Sequence, residues 1–275
     1  MLFFKDMKGF KIAVCQVMVH PQKEKNLKNA EKTIDAAAKN KVDLIIFPEM
    51  FNTPYDSEIF YENAEKFPGE TANLLSALAD KYSVYIIGGS IPEKDKNHTF
   101  NTSFVFDRNG ALIAKHRKIH LFDVDIKGGQ KFRESDSIYP GDRVTVFDTE
   151  YCRVGLCICY DIRFPELFIK MTELDVKLIV IPAAFNMTTG PAHWKLLTRA
   201  RALDCQSFLA AAAPARNESL NYISYGHSLI TDPWGKIIAS AGFREKIIYK
   251  KIDLDLVDSI RKQLPVLHHK RRDIY

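Results

Sequence analysis

The feature that most constrains the fold is a gapless internal repeat of nine residues. Residues 44–52 (LIIFPEMFN) and residues 178–186 (LIVIPAAFN) carry Leu, Ile, Pro, Phe and Asn at matching positions. Each copy begins with an apolar run of the kind that forms a strand covered on both faces of a sheet. Proline then ends the run, and phenylalanine and asparagine follow at the same distance. The repeat predicts that the chain is built from two similar halves.

The residues around each copy predict a strand, a helix and a second strand. Apolar residues recur at helical spacing between two apolar runs in both halves. The predicted elements are a strand over 10–17, a helix over 24–39 and a strand over 43–47, then a strand over 153–158, a helix over 165–173 and a strand over 177–181. A further helix is predicted over 71–81 and a further strand over 84–87.

Each half also carries a predicted hairpin whose turn ends in glycine. The first hairpin spans 103–114 and turns at Asn109-Gly110, and the second spans 227–240 and turns before Gly235. An Asn-Gly pair readily adopts the positive φ that such turns need. Because no linker rich in Ser, Gly or Pro interrupts the chain, we expect one α/β domain over residues 1–275. Its predicted fold is a four-layer α-β-β-α sandwich of two stacked mixed sheets with an internal pseudo-twofold repeat.

Composition excludes several classes of protein. With 39 Lys and Arg against 34 Asp and Glu, the net charge of +5 is mild. We therefore expect no nucleic-acid partner, and we interpret the basic tail at 268–273 as a solvated terminus or an oligomer contact. No segment reaches the 18 or so apolar residues of a membrane span, and the apolar stretch Met1–Phe4 is too short for a secretory signal. Five sparse cysteines indicate a reducing, cytoplasmic compartment.

Candidate reactive side chains follow the predicted strands. In open α/β sheets such groups collect beyond the carboxyl ends of the strands. Glu49 follows the apolar run of the first copy of the repeat, Cys159 stands where a strand meets a helix, and Lys118 lies in a basic segment after the first hairpin. Taken singly, each has an ordinary structural interpretation, as a surface carboxylate, a buried thiol and a solvated lysine.

Two cysteines compete for the position of a reactive thiol. Cys157 and Cys159 fall on one face of the predicted strand because they are two residues apart. We expect Cys159 to be the last strand residue, where the N-terminus of the next helix lowers the pKa of the thiol. Cys157 and the three remaining cysteines (Cys15, Cys152 and Cys205) are interpreted as packing residues. A metal bound by Cys-x-Cys is disfavoured, since zinc sites usually need two spaced pairs or nearby histidines.

Together these segments resemble the carbon–nitrogen hydrolases of the nitrilase superfamily. The resemblance covers residues 10–275 and rests on Phe-Pro-Glu49, Arg-Lys118 and Cys159-Tyr-Asp-Ile-Arg163-Phe-Pro-Glu166, in that order. More narrowly, the residues of four segments resemble the omega-amidase branch, namely 116–123, 131–135, 185–194 and 214–216. The resemblance implies hydrolysis of the terminal amide of small keto-acid monoamides, 2-oxoglutaramate and 2-oxosuccinamate.

The mechanism requires four catalytic residues. Cys159 would attack the amide and form a thioester, while Glu49 would take and return the proton. Lys118 and the backbone N–H of Tyr160 are the candidate donors to the developing oxyanion. The resemblance adds Glu134, which would orient Lys118. No cofactor and no metal are expected.

Substrate choice requires a cation for the distal carboxylate. Arg163 is the candidate, since a guanidinium binds a carboxylate through two parallel hydrogen bonds. Its alternative is a structural ion pair with Asp161 or Glu166. The resemblance adds Thr189 and the backbone of Phe185 as carboxylate donors, and Tyr55 and Tyr160 are expected to line the pocket or to belong to the core.

The resemblance also implies at least a homodimer. We expect residues 10–250 to form the core of the domain and residues 251–275, above all those after Gln263, to reach the oligomer interface.

Other activities remain open within the same superfamily. The protein could be a nitrilase, an N-carbamoyl amino acid hydrolase or an aliphatic amidase. Outside catalysis, the same scaffold could serve as a binding protein. A papain-like protease is poorly supported, because the sequence has no Gln…Cys-Gly-x-Cys-Trp arrangement followed by a catalytic histidine. His227, the best histidine candidate, is interpreted as structural.

Overall fold

The computed structural model describes residues 9–274, so the stretch Met1–Phe4 and Tyr275 lie outside it. The helices are α1 (Lys23–Ala38), α2 (Phe60–Asn63), α3 (Glu70–Tyr82), α4 (Pro165–Glu173), α5 (Gly190–Cys205) and α6 (Leu254–Gln263). The strands are β1 (Gly9–Gln16), β2 (Leu44–Ile46), β3 (Tyr85–Ile87), β4 (Ile91–Asp95), β5 (His98–Phe106), β6 (Leu112–Arg117), β7 (Asp123–Asp125), β8 (Lys131–Arg133), β9 (Thr145–Asp148), β10 (Arg153–Leu156), β11 (Leu178–Pro182), β12 (Phe208–Ala212), β13 (Leu229–Thr231), β14 (Ile237–Ser240) and β15 (Lys246–Asp253). Short 3-10 turns span Glu134–Asp136 and Cys159–Arg163.

Two mixed sheets share one order of pairing. In the first sheet, β15 pairs antiparallel with β1, the strands β1, β2 and β3 run parallel, and β5 continues antiparallel with β4 and β6 beside it. In the second sheet, β9 is the antiparallel edge, β10, β11 and β12 run parallel, and the hairpin β13–β14 follows. The two predicted strand–helix–strand units are therefore the parallel pairs β1–β2 and β10–β11.

The internal repeat occupies equivalent strands of the two sheets. Its copies form β2 and β11, each the middle one of three parallel strands. The hairpin turns also match, because Asp107 accepts hydrogen bonds from the N–H groups of Asn109 and Ala111, and Asp232 accepts them from Trp234 and Lys236, all at 2.9 Å. A bulge shifts the register near the end of β5 and again in β13.

Alternating residues of each strand separate the layers. Side chains such as Ile12 of β1 and Leu178 of β11 meet in the core between the sheets. Their neighbours Ala13 and Ile179 face outward, where α1 and α3 cover the first sheet and α4 and α5 cover the second. The predicted four-layer α-β-β-α architecture is thus confirmed.

Some elements escaped prediction because their residues carry little pattern. Strand β12 reads Phe-Leu-Ala-Ala-Ala, and alanine has no strand preference. The buried face of α5 consists of Gly190, Trp194, Thr198, Ala202 and Cys205, whereas its leucines at 196 and 203 are exposed. Among the helices of residues 9–274, none is long and apolar enough to cross a membrane.

The C-terminal boundary predicted at residue 250 falls inside β15. This strand pairs with β1 from Gly9 opposite Asp253 to Gln16 opposite Lys246. Helix α6 then places Leu254 and Val257 in the core between the sheets. Residues 251–263 therefore belong to the folded domain, and only the segment from Leu264 onward extends beyond the last helix.

Candidate active site

Four loop segments that follow strands bring the predicted catalytic residues together. Glu49 follows β2, Lys118 follows β6, Glu134 follows β8 and Cys159 follows β10. The side chains of Glu49, Lys118 and Glu134 are fully buried, and Cys159 is 6% exposed. The site therefore lies inside the protein. Glu49 and Cys159 lie beyond the carboxyl ends of the parallel strands β2 and β10, as such sheets predict, whereas Lys118 and Glu134 follow the antiparallel strands β6 and β8.

Lys118 is the hub of the site. Its Nζ donates to Glu49 Oε1 at 2.8 Å, to Glu134 Oε2 at 2.8 Å and to the Tyr55 hydroxyl at 3.0 Å. These three acceptors engage all three protons of the ammonium. Burial on its own lowers the pKa of Lys118, but the carboxylates of Glu134 and Glu49 outweigh it and raise that pKa. Lys118 is therefore a fixed positive charge.

Strand alternation explains why this lysine is buried in a basic segment. Lys115 and Arg117 point to one side, where both bind Glu93, at 2.9 and 2.8 Å. His116 and Lys118 point to the other side and are fully buried. The basic segment therefore has two faces, and only the face with Lys115 and Arg117 is solvated.

Asn101 holds the two carboxylates in place, and sequence reasoning missed it. Its Nδ2 donates to Glu49 Oε1 at 2.9 Å and to Glu134 Oε1 at 3.0 Å. Its carbonyl accepts the N–H of Lys118 at 2.8 Å, because the pairing of β5 with β6 continues to this point. The N–H of Phe122 also donates to Glu134 Oε2, at 2.7 Å. The only sequence signal for Asn101 is the register of the hairpin.

Cys159 begins the 3-10 turn, so the prediction that it is the last residue of a strand was wrong. Strand β10 ends at Leu156, and Cys159 has φ +46°, a conformation that costs a non-glycine residue about 1–3 kcal/mol. Its Sγ accepts the N–H of Ala184 at 3.4 Å. Cys157 lies two residues earlier in the apolar cluster beneath α4 and α5.

The prediction of a lowered thiol pKa was also wrong. Burial raises the pKa of Cys159 well above its ordinary value, and the negative charge of Glu49 raises it further, while Lys118 offsets only part of this. Burial likewise raises the pKa of Glu49, with Lys118 opposing and Glu134 adding to the shift. The physical reason is that one ammonium faces two carboxylates, so a thiolate would add a further negative charge. At rest the site therefore holds a neutral thiol beside a carboxylate of raised pKa.

Asp161 joins the lysine segment to the cysteine turn. Its Oδ1 accepts two hydrogen bonds from His120, one from the backbone N–H at 2.9 Å and one from Nδ1 at 2.8 Å. Its Oδ2 accepts the backbone N–H of Ile158 at 2.9 Å and lies 3.3 Å from Nε2 of His116. Burial raises the pKa of Asp161, but the hydrogen bonds of His116 and His120 outweigh burial and lower it. One buried carboxylate thus fixes the segments on both sides of the reacting groups.

Arg163 forms neither of the ion pairs that were its structural alternative. Among residues 9–274, the Arg163 side chain forms one hydrogen bond, from its Nη1 to Nδ1 of His193 at 3.2 Å. The guanidinium carbon lies 5.5 Å from the centre of the Tyr160 ring and 5.2 Å from that of Phe185. Its Nε is buried and has no hydrogen-bond partner within the described part of the chain. Arg163 therefore retains capacity to bind an anion.

The remaining predicted binding residues surround this region in different ways. Thr189 donates its N–H and its hydroxyl to Oδ1 of Asn186, at 2.8 and 3.1 Å, so its hydroxyl proton is already engaged. The carbonyl of Phe185 accepts the N–H of Tyr225. Tyr160 packs edge-on against Phe122, at 5.2 Å between ring centres. The carbonyl of His227 accepts Nε1 of Trp194, a structural contact.

A cavity of about 520 Å³ opens beside the site. Tyr55 and Tyr222 form its inner wall, with ring centres 4.6 Å apart, and Phe132 of β8 lies against both. Asn186 and residues 129–131 of the β7–β8 hairpin complete its rim. Within residues 9–274, no group of three His, Cys, Asp or Glu side chains is arranged to hold a metal ion.

The chain matches the family model described as carbon–nitrogen hydrolase over residues 11–262. The chain belongs to the carbon–nitrogen hydrolase family. It is 49% identical to omega-amidase NIT2-A of Xenopus laevis and 47% identical to omega-amidase NIT2 of Homo sapiens, in each case over 98% of both chains. The crystal structure of Saccharomyces cerevisiae Nit3, a member of branch 10 of the nitrilase superfamily, is similar with a TM-score of 0.89 and 39% identity, over 96% of this chain and 97% of that one.

The predicted nitrilase-superfamily resemblance is thereby confirmed. As a carbon–nitrogen hydrolase, the protein is an amide-hydrolysing enzyme. The interpretations as a non-catalytic binding protein and as a papain-like protease find no support in these relatives.

We predict that Asp161→Asn lowers the free energy of unfolding of this carbon–nitrogen hydrolase by about 3 kcal/mol at pH 7, because an amide cannot replace a buried carboxylate that accepts several hydrogen bonds. The pKa of Asp161 is lowered in the folded protein, so its stabilising effect is fully present above the pKa of an unfolded aspartate, about 3.9, and is lost as the pH falls below that value. Urea unfolding from pH 7 down to pH 3 measures both effects.

The matched control is Asp142→Asn, since Asp142 is exposed and contacts only Arg143 among the ion pairs of residues 9–274. We expect this change to alter the free energy of unfolding by less than about 1 kcal/mol. Equal stability of the Asp161 variant and the unmodified protein at pH 7 would contradict the positioning role.

Proposed function

We propose that this carbon–nitrogen hydrolase cleaves the terminal amide of small keto-acid monoamides, such as 2-oxoglutaramate and 2-oxosuccinamate, to the keto acid and ammonia. The observation that carries this choice is Arg163, a guanidinium without a carboxylate partner among the described residues, on the same 3-10 turn as Cys159. A substrate with a carboxylate at one end and an amide at the other fits that pair. The names of the omega-amidase relatives support the same choice.

In the first step, Cys159 attacks the amide carbon. The thiol proton passes to Glu49, the sulfur forms a bond to carbon, and the carbonyl electrons move onto oxygen. When the tetrahedral intermediate collapses, the C–N bond breaks and Glu49 returns the proton to nitrogen, so that ammonia leaves. The raised pKa of Glu49 suits a group that must both accept and donate a proton.

Two donors stabilise the oxyanion in this scheme. The N–H of Tyr160 lies in the first turn of a 3-10 helix, where N–H groups lack partners within the helix. Lys118 already donates three hydrogen bonds, so the oxyanion would replace the neutral Tyr55 hydroxyl as its third acceptor. Glu134 and Glu49 keep the ammonium in position. Loss of one such donor typically reduces the rate by about 100- to 1,000-fold.

In the second step, water cleaves the thioester. Glu49 takes a proton from water as the oxygen attacks the acyl carbon, the C–S bond breaks, and the sulfur receives that proton back. These steps use a thiol, a carboxylate and an ammonium of the chain, so we propose that the reaction needs no cofactor.

The substrate carboxylate binds Arg163 in our proposal. The rings of Tyr160 and Phe185 hold the guanidinium from two sides, and His193 fixes one of its nitrogens. Thr189 would contribute its hydroxyl only by exchanging its bond to Asn186. Tyr55 would line the other end of the substrate, next to Lys118.

We also propose that two copies of the chain associate through an apolar groove of about 610 Å³. Exposed apolar side chains of α4, α5, the β13–β14 turn and the C-terminal segment line it, namely Ile169, Leu203, Trp234, Leu264 and Val266. Exposed patches of this kind usually mark interaction sites. Light scattering should give about twice the 31.4 kDa of one chain, and Leu203→Glu should reduce that mass. A monomer at micromolar concentration would refute the proposal.

All five cysteines are free, which favours the reducing cytoplasm as the compartment.

We predict that Cys159→Ala removes amide hydrolysis, with a fall in kcat of about 10⁴-fold or more, because no other nucleophile lies at the site. Cys157→Ala should retain most of the activity, since Cys157 only packs among apolar side chains. Ammonia release from 2-oxoglutaramate measures both. An active Cys159 variant together with an inactive Cys157 variant would overturn the assignment of the nucleophile.

Removal of Arg163 should change specificity. We predict that Arg163→Ala raises KM for 2-oxoglutaramate by about 10- to 100-fold, the value of one to two charged hydrogen bonds, but leaves KM for an uncharged amide of equal length nearly unchanged. Lys131→Ala is the control, since Lys131 is a cation at the rim of the cavity with a side chain that is 73% exposed. It should affect neither substrate by more than about twofold.

Equal effects of Arg163→Ala on both amides would remove the carboxylate-binding role. The unmodified enzyme should also prefer 2-oxoglutaramate to a nitrile and to an N-carbamoyl amino acid of similar size. Preference for either of the latter would instead favour nitrilase or N-carbamoyl hydrolase activity.

A further inference from the structure

A second, much smaller cavity lies behind the catalytic base. Its volume is about 10 Å³, room for one water molecule. Its lining residues include Glu49, Thr53 and Ala184, together with Asn217 and Leu220. Tyr55 and Tyr222 line both this cavity and the 520 Å³ cavity, so this pair of rings forms the wall between the two.

Two buried polar atoms of this small cavity lack partners. Glu49 Oε2 and Thr53 Oγ1 are buried and have no nitrogen or oxygen partner among residues 9–274, and both residues line the cavity. The Glu49 side chain also interacts with the thiol of Cys159. Burying an unpaired hydroxyl or carboxylate oxygen is unfavourable by a few kcal/mol. Ser224 and Asn217 are further polar residues on the wall. A water held in a polar cavity usually has two to four such partners.

We propose that this cavity is the binding site of the water that hydrolyses the thioester, with Glu49 and Thr53 as its partners. The proposal rests on the cysteine mechanism above. It assigns to Thr53, a residue outside the catalytic cluster, the positioning of the second nucleophile.

The location suits the chemistry of the second step. Ala184 lines the cavity, and its N–H donates to Cys159 Sγ, so water in the cavity lies close to the thioester sulfur. The Thr53 hydroxyl donates to the water oxygen, and the water donates to Glu49. As the oxygen attacks the acyl carbon, its proton passes to Glu49. The C–S bond then breaks, its electron pair goes to sulfur, and Glu49 returns the proton to the sulfur.

A separate site also solves a problem of access. Glu49 does not line the large cavity, so water that enters there is not held beside the base. Water behind the wall formed by Tyr55 and Tyr222 is already beside the base. In this proposal the substrate and the hydrolytic water therefore reach the site from different cavities.

The test measures how the acyl-enzyme divides between water and hydroxylamine. Hydroxylamine has two heavy atoms and is too large for a one-water cavity, so it enters from the substrate side and yields a hydroxamate. With 2-oxoglutaramate as substrate, Thr53→Val should leave the first-turnover release of ammonia unchanged but slow hydrolysis by about fivefold to tenfold, the effect of one lost hydrogen bond. The ratio of hydroxamate to free keto acid should rise by the same factor, whichever step limits turnover.

Three variants control for the substitution itself. Thr53→Ser keeps the hydroxyl and should restore the ratio of the unmodified enzyme. Thr53→Ala also lacks the hydroxyl and carries the test if the valine variant fails to fold. Thr231→Val removes another fully buried threonine hydroxyl without a partner in the described chain, far along the sequence in β13, and should leave the ratio unchanged.

Two results would overturn the proposal. One is an unchanged ratio in both the valine and the alanine variant, and the other is an equal rise in Thr231→Val. If the unmodified enzyme releases no ammonia in the first turnover, the proposed amidase function itself is refuted. The ratio of products tests only the water site.

Discussion

The buried ammonium of Lys118 is the interaction on which the site depends. An unpaired charge at this depth would be unfavourable by several kcal/mol, so the fold must supply acceptors for it. Glu49, Glu134 and Tyr55 do so from three separate segments, and Asn101 ties the two carboxylates together. Because the cluster contains two carboxylates and only one cation, it disfavours a further negative charge. That balance keeps the thiol of Cys159 neutral until a substrate carbonyl can accept the charge.

The parts of the fold that could be predicted are those with strong local patterns. The apolar repeats at 44–52 and 178–186 indicate buried parallel strands, and the Asn-Gly turn indicates a hairpin. Asn101 could not be found this way. Its place opposite Lys118 depends on a bulge near the end of β5, which shifts the register from the one that the turn alone suggests. Such a shift results from tertiary packing, and no short sequence window contains it.

Asp161 shows the same limit at the level of charges. From sequence alone its nearest basic residue is Arg163, two positions away, so an ion pair between them is the simple expectation. In the fold it binds His116 and His120, which are 45 and 41 residues distant, together with the backbone of Ile158. The carboxylate stabilises the turn in which Cys159 has a positive φ, and Arg163 is left without a carboxylate partner among the described residues. Long-range contacts of one carboxylate therefore determine both the geometry of the turn at Cys159 and the freedom of the Arg163 guanidinium.

The internal repeat finally explains why one site arises from two similar halves. Glu49 and Met50 in the first copy correspond to Ala183 and Ala184 in the second. The first copy supplies Glu49, the proposed base, whereas the second supplies a backbone N–H that donates to Cys159 Sγ. Ala183 belongs to the same apolar cluster as Cys159, so a glutamate at that position would place another negative charge near the sulfur. It would raise the pKa of the thiol further and oppose its attack on an amide. In the proposed mechanism, the absence of a carboxylate at position 183 is therefore as important as its presence at position 49.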